Sequence, residues 1–327
     1  MSQQPTRTVI ADLDTAAQDQ GGKGHLRRAW ERLIRKKLAM FSVVVLIVLY
    51  SVGIFAPLIA PYEYTAQDYT AIRKPPSAEH WAGTDLKGRD LLTRVMWGIQ
   101  NTVIITVISM ATGGLVIGVT LGLVSGYFGS WVDALIMRVG EVFASFPDIL
   151  LVIILAATLG PRLRDFFRNL EDTTFLDGLV KAGVVDYLVI SIALVSFSWF
   201  GMARIVRGQV LALKQTQFVD AARSVGASTP RILFTHLLPN AISPIVVLVS
   251  MGMGSMVGTE IILSWLGLGI QPPRPSLGVM LLEAGSLSAL REVPWMLLTP
   301  GLVAWTLVLS WNLLGDALND VLNPRTR

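Results

Sequence analysis

The chain has 327 residues, of which 52% are hydrophobic and only 15% charged, with a formal net charge of +4 and a mean hydropathy of +0.57. That balance excludes an ordinary soluble globular domain, and a charge this modest carries no nucleic-acid signature. Cysteine is absent, which excludes a disulfide framework and a thiolate metal site.

Residues 1–24 are polar and rich in Gln and Gly, and are expected to be disordered. From His25 the pattern changes. Leu26, Trp30, Leu33 and Ile34 recur at helical spacing, while Arg27, Arg28, Arg32 and Arg35 fill the other face. This predicts a basic amphipathic helix lying on membrane lipid, within a tail that ends at residue 37. Six apolar runs follow, at about 38–60, 101–126, 134–160, 187–208, 240–266 and 295–317. Each is long enough to cross a bilayer as a helix that satisfies its own backbone groups. The expected fold is therefore an all-α integral membrane protein. One six-helix domain covers 38–320, and residues 321–327 form a short C-terminal segment. The Lys and Arg residues ahead of the first span place the N-terminus in the cytoplasm, and six spans return the C-terminus there. The basic residues of the 61–100 loop run mildly against that orientation.

Within 61–100, Gly83-Thr-Asp-Leu-Lys-Gly-Arg-Asp90 nearly has the glycine spacing of a phosphate-binding loop. Arg89 stands in place of the lysine, Asp90 in place of the magnesium-binding hydroxyl, and no strand precedes it, so nucleotide binding is rejected. Thr84 or Asp85 is the expected cap of a helix that places Leu91, Leu92, Val95, Met96 and Ile99 on one face. In the second span, Gly118 and Gly122 form a small-xxx-small pair suited to close helix packing. The 161–186 connection is polar, with Phe166, Phe167, Leu170, Phe175, Leu176, Leu179 and Val180 arranged for amphipathic helices on the outer surface.

Ionisable groups inside the spans cost about 2.5–3.5 kcal/mol each at mid-membrane and should be paired or watered. Arg138 and Glu141 are spaced to pair with each other, and Asp316 is expected at the interface. Asp148 follows Pro147, where a kink frees carbonyls, and Glu260 lies deep in its span. These two are the candidates for lining a translocation path. The histidines His25, His80 and His236 are scattered, with no metal-ligand spacing and no nucleophile elbow, so catalysis by this chain is not expected.

The polar interruption at 216–239 is the most organised stretch. Thr216 is the expected cap of a short helix whose early Asp220 suits the helix dipole. Gly226 ends it. Thr229 is then the expected cap of a second helix with Pro230 in its first turn, and Pro239 breaks the chain before the fifth span. The result is a knob carrying Arg223, Arg231 and His236 beside apolar Val219, Val225, Ile232 and Phe234 on its exposed faces.

This loop resembles the E-A-A…G…LP loop of ABC-importer permeases: Asp220-Ala221-Ala222, then Gly226, then Leu238-Pro239, with Asp220 in place of the usual glutamate. Gly83–Asp90, Phe218–Asn240, Leu266–Ser276, Asn312–Asp316 and Asn323–Arg325 narrow the likeness to the C-type permeases of dipeptide, oligopeptide and nickel importers, over about 38–325. The resemblance implies a type I importer permease in a bacterial or archaeal cell membrane. It implies a second homologous permease, two ABC ATPase subunits or domains that bind the ATP and magnesium, and an extracytoplasmic solute-binding protein. The 216–239 loop would dock on the ATPase through Asp220, Ala221, Ala222, Arg223, Gly226, Arg231, His236 and Pro239. Di- and oligopeptides are the expected solutes. Nickel or another solute such as an oligosaccharide is the alternative, and a stand-alone channel or secondary carrier is a more distant one.

Overall fold

The computed structural model describes residues 25–174, 178–180 and 183–322. The polar segment 1–24, the apolar Phe175 and Leu176, and the stretch Asn323–Arg325 lie outside the described residues. Helices account for most of the described chain, the 60–90 segment being the main exception. The basic amphipathic segment forms α1 (His25–Arg35), and an extended Lys36 turns it into the first long helix, α2 (Lys37–Ile54). A short turn, Ala56–Ile59, follows where Pro57 interrupts the run, so the long helix stops before the expected residue 60.

The second long helix, α3 (Leu91–Phe128), starts ten residues upstream of the expected span. Its cap is Asp90 rather than Thr84 or Asp85, the Asp90 carboxylate accepting from the Thr93 N–H at 2.7 Å. Leu91, Val95 and Ile99 do face the core. At 38 residues the helix is about 57 Å long and outreaches a hydrocarbon core of about 30 Å. Over Met110–Val119 it widens to π geometry.

The expected third span is broken. Helices α4 (Ser130–Ala144) and α5 (Asp148–Thr173) meet at 88°. Pro147 explains the break, since its ring disfavours helical backbone at Phe146 and it donates no amide hydrogen bond. Helix α5 continues through Pro161 to Thr173, so the first half of the 161–186 connection extends that helix rather than forming separate ones. Arg164 reaches back to Asp186 at 2.9 Å.

Helix α6 (Val184–Leu213) runs parallel to α3 and packs along its glycine face. A Cβ at Gly118 would stand 2.8 Å from the Trp199 carbonyl, and one at Gly122 2.7 Å from the Ala203 carbonyl. These glycines allow backbone-to-backbone approach that other side chains would block. The loop helices α7 (Gln217–Ser224) and α8 come next. Helix α8 opens as Thr229–Arg231, widens over Ile232–Leu237 and closes as Leu238–Asn240. The chain then re-enters the bundle as α9 (Ile242–Trp265), passes through the short α10 (Leu277–Glu283) and α11 (Leu287–Glu292), and finishes in α12 (Trp295–Leu322). The main core joins α3, α9, α10 and α12 through Leu91, Ile99, Val257, Leu277, Met280 and Leu307. Among the described residues, five helices are long and apolar enough to cross a membrane, and the bent α4–α5 pair brings this to six if it counts as one span.

Candidate functional site

The 216–239 loop stands at the end of the bundle where α3 and α6 both stop. Its inward side is apolar. Val219 and Leu237 are fully enclosed, and Ile232 and Leu233 nearly so, against Leu123, Val206 and Val210 of α3 and α6. Val219 and Ile232 therefore anchor the knob instead of lying on its exposed face. Val225 and Phe234 do remain outside, at 88% and 53% exposure. Burial of four such side chains contributes on the order of 1.5–3 kcal/mol each, which is what seats a loop of two short helices.

The turn between α7 and α8 is set by Gly226, at φ +82°. The Ala227 N–H donates to the Ala222 carbonyl and the Gly226 N–H to the Arg223 carbonyl, closing the last turn of α7 in the paired pattern of a left-handed helix stop. No atom lies within 4 Å of where a Cβ would sit on Gly226, so the demand for glycine comes from backbone conformation alone. Thr216 occupies the cap position of α7, but its hydroxyl donates back to the Leu213 carbonyl instead of capping. The cap position of α8 is Ser228, with Thr229 already helical and Pro230 in the first turn as expected. Pro239 sits inside the last turn of α8, and the break before α9 falls at Ala241.

The outer surface of the knob holds a depression of 460 Å³ lined by Phe218, Ala221, Ala222, Val225, Arg231 and His236, with Gly226 at its edge. Five of the expected loop residues, Ala221, Ala222, Gly226, Arg231 and His236, thus converge on one concave surface. Asp220 and Arg223 are outside it, paired across one turn at 3.5 Å, and the Arg223 guanidinium lies 5.4 Å from the centre of the Tyr127 ring. Pro239 is exposed but apart from the depression. Lys214 braces the base by donating to the Gly126 carbonyl at 2.9 Å, and Arg207 binds Asp133 of α4 through two nitrogens.

The two intramembrane candidates differ. Asp148 is exposed at the break between α4 and α5. Glu260 has no exposed surface, so it lines no surface of this chain. Its carboxylate accepts from Thr102 of α3 and from Ser264, both at 2.7 Å, and ties α3 to α9. Arg138 and Glu141 pair as expected, at 3.3 Å and both exposed, and Asp316 is exposed.

A second constellation, at the opposite end of α3, escapes a reading of local sequence. Gly83–Asp90 folds into a clasp. Asp85 accepts from the Lys87 and Arg89 backbone N–H groups at 2.8 and 3.0 Å and from Arg89 Nε at 2.6 Å. Arg89 reaches both oxygens of Glu283 at 3.0 Å, and Arg94 donates to the same carboxylate at 3.1 Å. His80 meets Asp90 at 3.0 Å, and Trp295 donates to the Thr84 carbonyl at 3.2 Å. The near phosphate loop is thus a structural joint between the 61–90 segment, α3, α10 and α12. The close spacing of Asp85, Arg89, Asp90 and Arg94 is the available signal, but the partner Glu283 lies 189 residues beyond Arg94.

The chain matches the family described as binding-protein-dependent transport system inner membrane component over residues 118–327. Residues 25–76 match the N-terminal transmembrane domain of oligopeptide transport permease C. It is 36% identical to the dipeptide transport system permease protein DppC of Alkalihalophilus pseudofirmus over 92% of this chain and 90% of that protein. Its identity to the glutathione transport system permease protein GsiD of Escherichia coli is 39%, over 91% and 90%. For the oligopeptide transport system permease protein OppC of Bacillus subtilis it is 35%, over 90% and 88%. A helical bundle with a seated loop between the fourth and fifth long elements, matched along nine-tenths of its length, identifies the chain as a multi-pass membrane protein that belongs to the binding-protein-dependent transport system inner membrane components, among the C-type permeases of ABC importers.

Proposed function

We propose that this chain forms half of the translocation pathway of an ATP-driven importer of di- or oligopeptides and receives its driving force through the 216–239 loop. The observation that carries this reading is the loop itself. It has an apolar underside locked to α3 and α6, and an outward concave surface bearing Arg231 and His236. A partner seated in that depression would move α3 and α6 with the knob, because Val219 and Ile232 leave no slack between them. The peptide substrate class is supported by the relatives, which are dipeptide, oligopeptide and glutathione transport permeases.

In this reading a second, homologous permease completes the pathway, two ABC ATPase subunits or domains bind the ATP and magnesium, and an extracytoplasmic binding protein delivers the solute. The chain itself carries out no catalysis. Both termini and the knob face the cytoplasm, and the clasp at 83–90 faces outward. Asp148, open at the bend, is the candidate for the path. Glu260 acts by holding α3 against α9.

The native chain lacks cysteine, so single cysteines report cleanly. Val225→Cys or Phe234→Cys in the assembled complex is expected to cross-link to the ATPase, with a yield that changes between nucleotide-free and ATP-bound states. Absence of cross-links from both positions, with the complex intact, would falsify docking at this loop.

A further inference from the structure

We propose that the angle between α1 and the ends of α9 and α12 is a binding site for one anionic diacyl phospholipid. The cleft has a volume of 140 Å³ and is walled by Trp30 and Leu33 of α1, Ile242 and Val246 of α9, and Leu318 and Leu322 of α12. That lining suits an acyl chain, and the volume takes only a part of one. Leu33 is buried at its floor, packed with Val247, Ala317 and Val321, while Trp30 is 57% exposed at its mouth. An amphipathic ring at such a position matches the headgroup level of a bilayer.

The charges supply the other half of the ligand. Between His25 and Lys37 the sequence carries six basic residues and one acidic residue, Glu31. Lys36 is committed to Asp320 at 2.6 Å. Arg32, Arg35 and Lys37 are exposed and have no acidic partner among the described residues. Arg32 and Arg35 stand on the exposed face of the helix whose other face walls the cleft, Lys37 follows it, and a phosphate with a fatty chain answers both charge and cleft. The extended Lys36 between α1 and α2 lets α1 fold across the ends of α9 and α12 instead of continuing α2. The arrangement is therefore built into the backbone, not into one side chain. This site is independent of the knob and of the substrate.

The test uses the full transporter complex purified in mild detergent, exposed to defined phosphatidylglycerol or phosphatidylcholine, and weighed by native mass spectrometry for retained lipid. One phosphatidylglycerol per copy of this chain is expected, in preference to phosphatidylcholine. Replacing Arg32 and Arg35 with Gln should lower that preference about 5-fold per charge removed. Val246→Trp, which fills the cleft and leaves the charges alone, should abolish retention of both lipids. Millimolar glycerol phosphate should not displace the bound lipid, because the headgroup alone lacks the apolar half. Equal retention of the two lipids by the native chain, retention unchanged in both variants, or displacement by glycerol phosphate would each overturn the site. If the charge variant fails to assemble, a photo-reactive phosphatidylglycerol cross-linked to the native complex decides the matter. Labelling within 30–37 or 242–246 supports the site, and labelling confined elsewhere overturns it.

Discussion

At one end of α3, Asp85, Arg89, Arg94 and Glu283 join in a connected set of ion pairs, with Arg94 and Asp85 at 3% and 1% side-chain exposure. At the other end, the ion pair within the 216–239 loop, Arg223 with Asp220, stands open to solvent at 45% and 67%. The loop is held instead by apolar burial beneath it. Buried charges are intolerant of displacement, because each partner left behind is uncompensated. An apolar seat with its polar groups outside keeps its shape while leaving those groups exposed. One end of α3 is thus locked by buried charge, and the other is seated on apolar side chains with its charges outside.

The sharpest way to break this contrast is to unpair the clasp. Replacing Arg89 and Arg94 together with Ala strands Glu283 and Asp85 and should cost about 3–5 kcal/mol, read as a large fall in thermal midpoint or loss of assembled protein. A mild effect there would mean that the clasp is not a buried joint. Next in size, Gly226→Val forces a β-branched residue to φ +82° and should strain the turn by about 1–3 kcal/mol. ATP hydrolysis is expected to continue while coupled uptake falls, with membrane insertion unchanged. Coupled uptake at the native level would separate the knob from transport. Gly226→Asn sharpens the same test, since asparagine tolerates the left-handed region. Most of the coupling should return, and if it does not, backbone conformation is not what glycine supplies. Smallest of all, Arg223→Ala should shift stability by under about 0.5 kcal/mol. Any loss of uptake in that variant, at unchanged thermal midpoint, then reports a contact with the partner.

Much of this contrast is legible in sequence at the loop and almost none of it at the clasp. Gly226 and Pro230 punctuate two short helices by local rules that hold wherever the segment sits. Which side of those helices is covered is not local. Val219 and Ile232 look as free as Val225 until α3 and α6 are laid against them. The upstream extension of α3 is hidden for a related reason. Arg94 and Asn101 depress the apolar signal before residue 102, yet both are satisfied by distant groups, Glu283 and the Pro275 carbonyl. The bend at Pro147 is marked by its proline, but an angle of 88° is a matter of what the two halves pack against. Glu260 is visible as a carboxylate in a span. Its partner on α3, Thr102, which ties two distant helices together, is not visible there.

The widened stretch of α3, Met110–Val119, has a consequence for how its two halves are phased. Each π turn takes up about one more residue than an α turn. The side chains below Val119 therefore emerge rotated relative to those above Met110. That offset lets a single rod present Leu91, Ile99 and Val103 to α9, α10 and α12 at one end, and the glycines at 118, 122 and 126 to α6 at the other. The length of this stretch, counted in residues, works like the offset between the bow and wards of a key. Removing a single residue from it would leave both halves intact and turn one of them out of its lock.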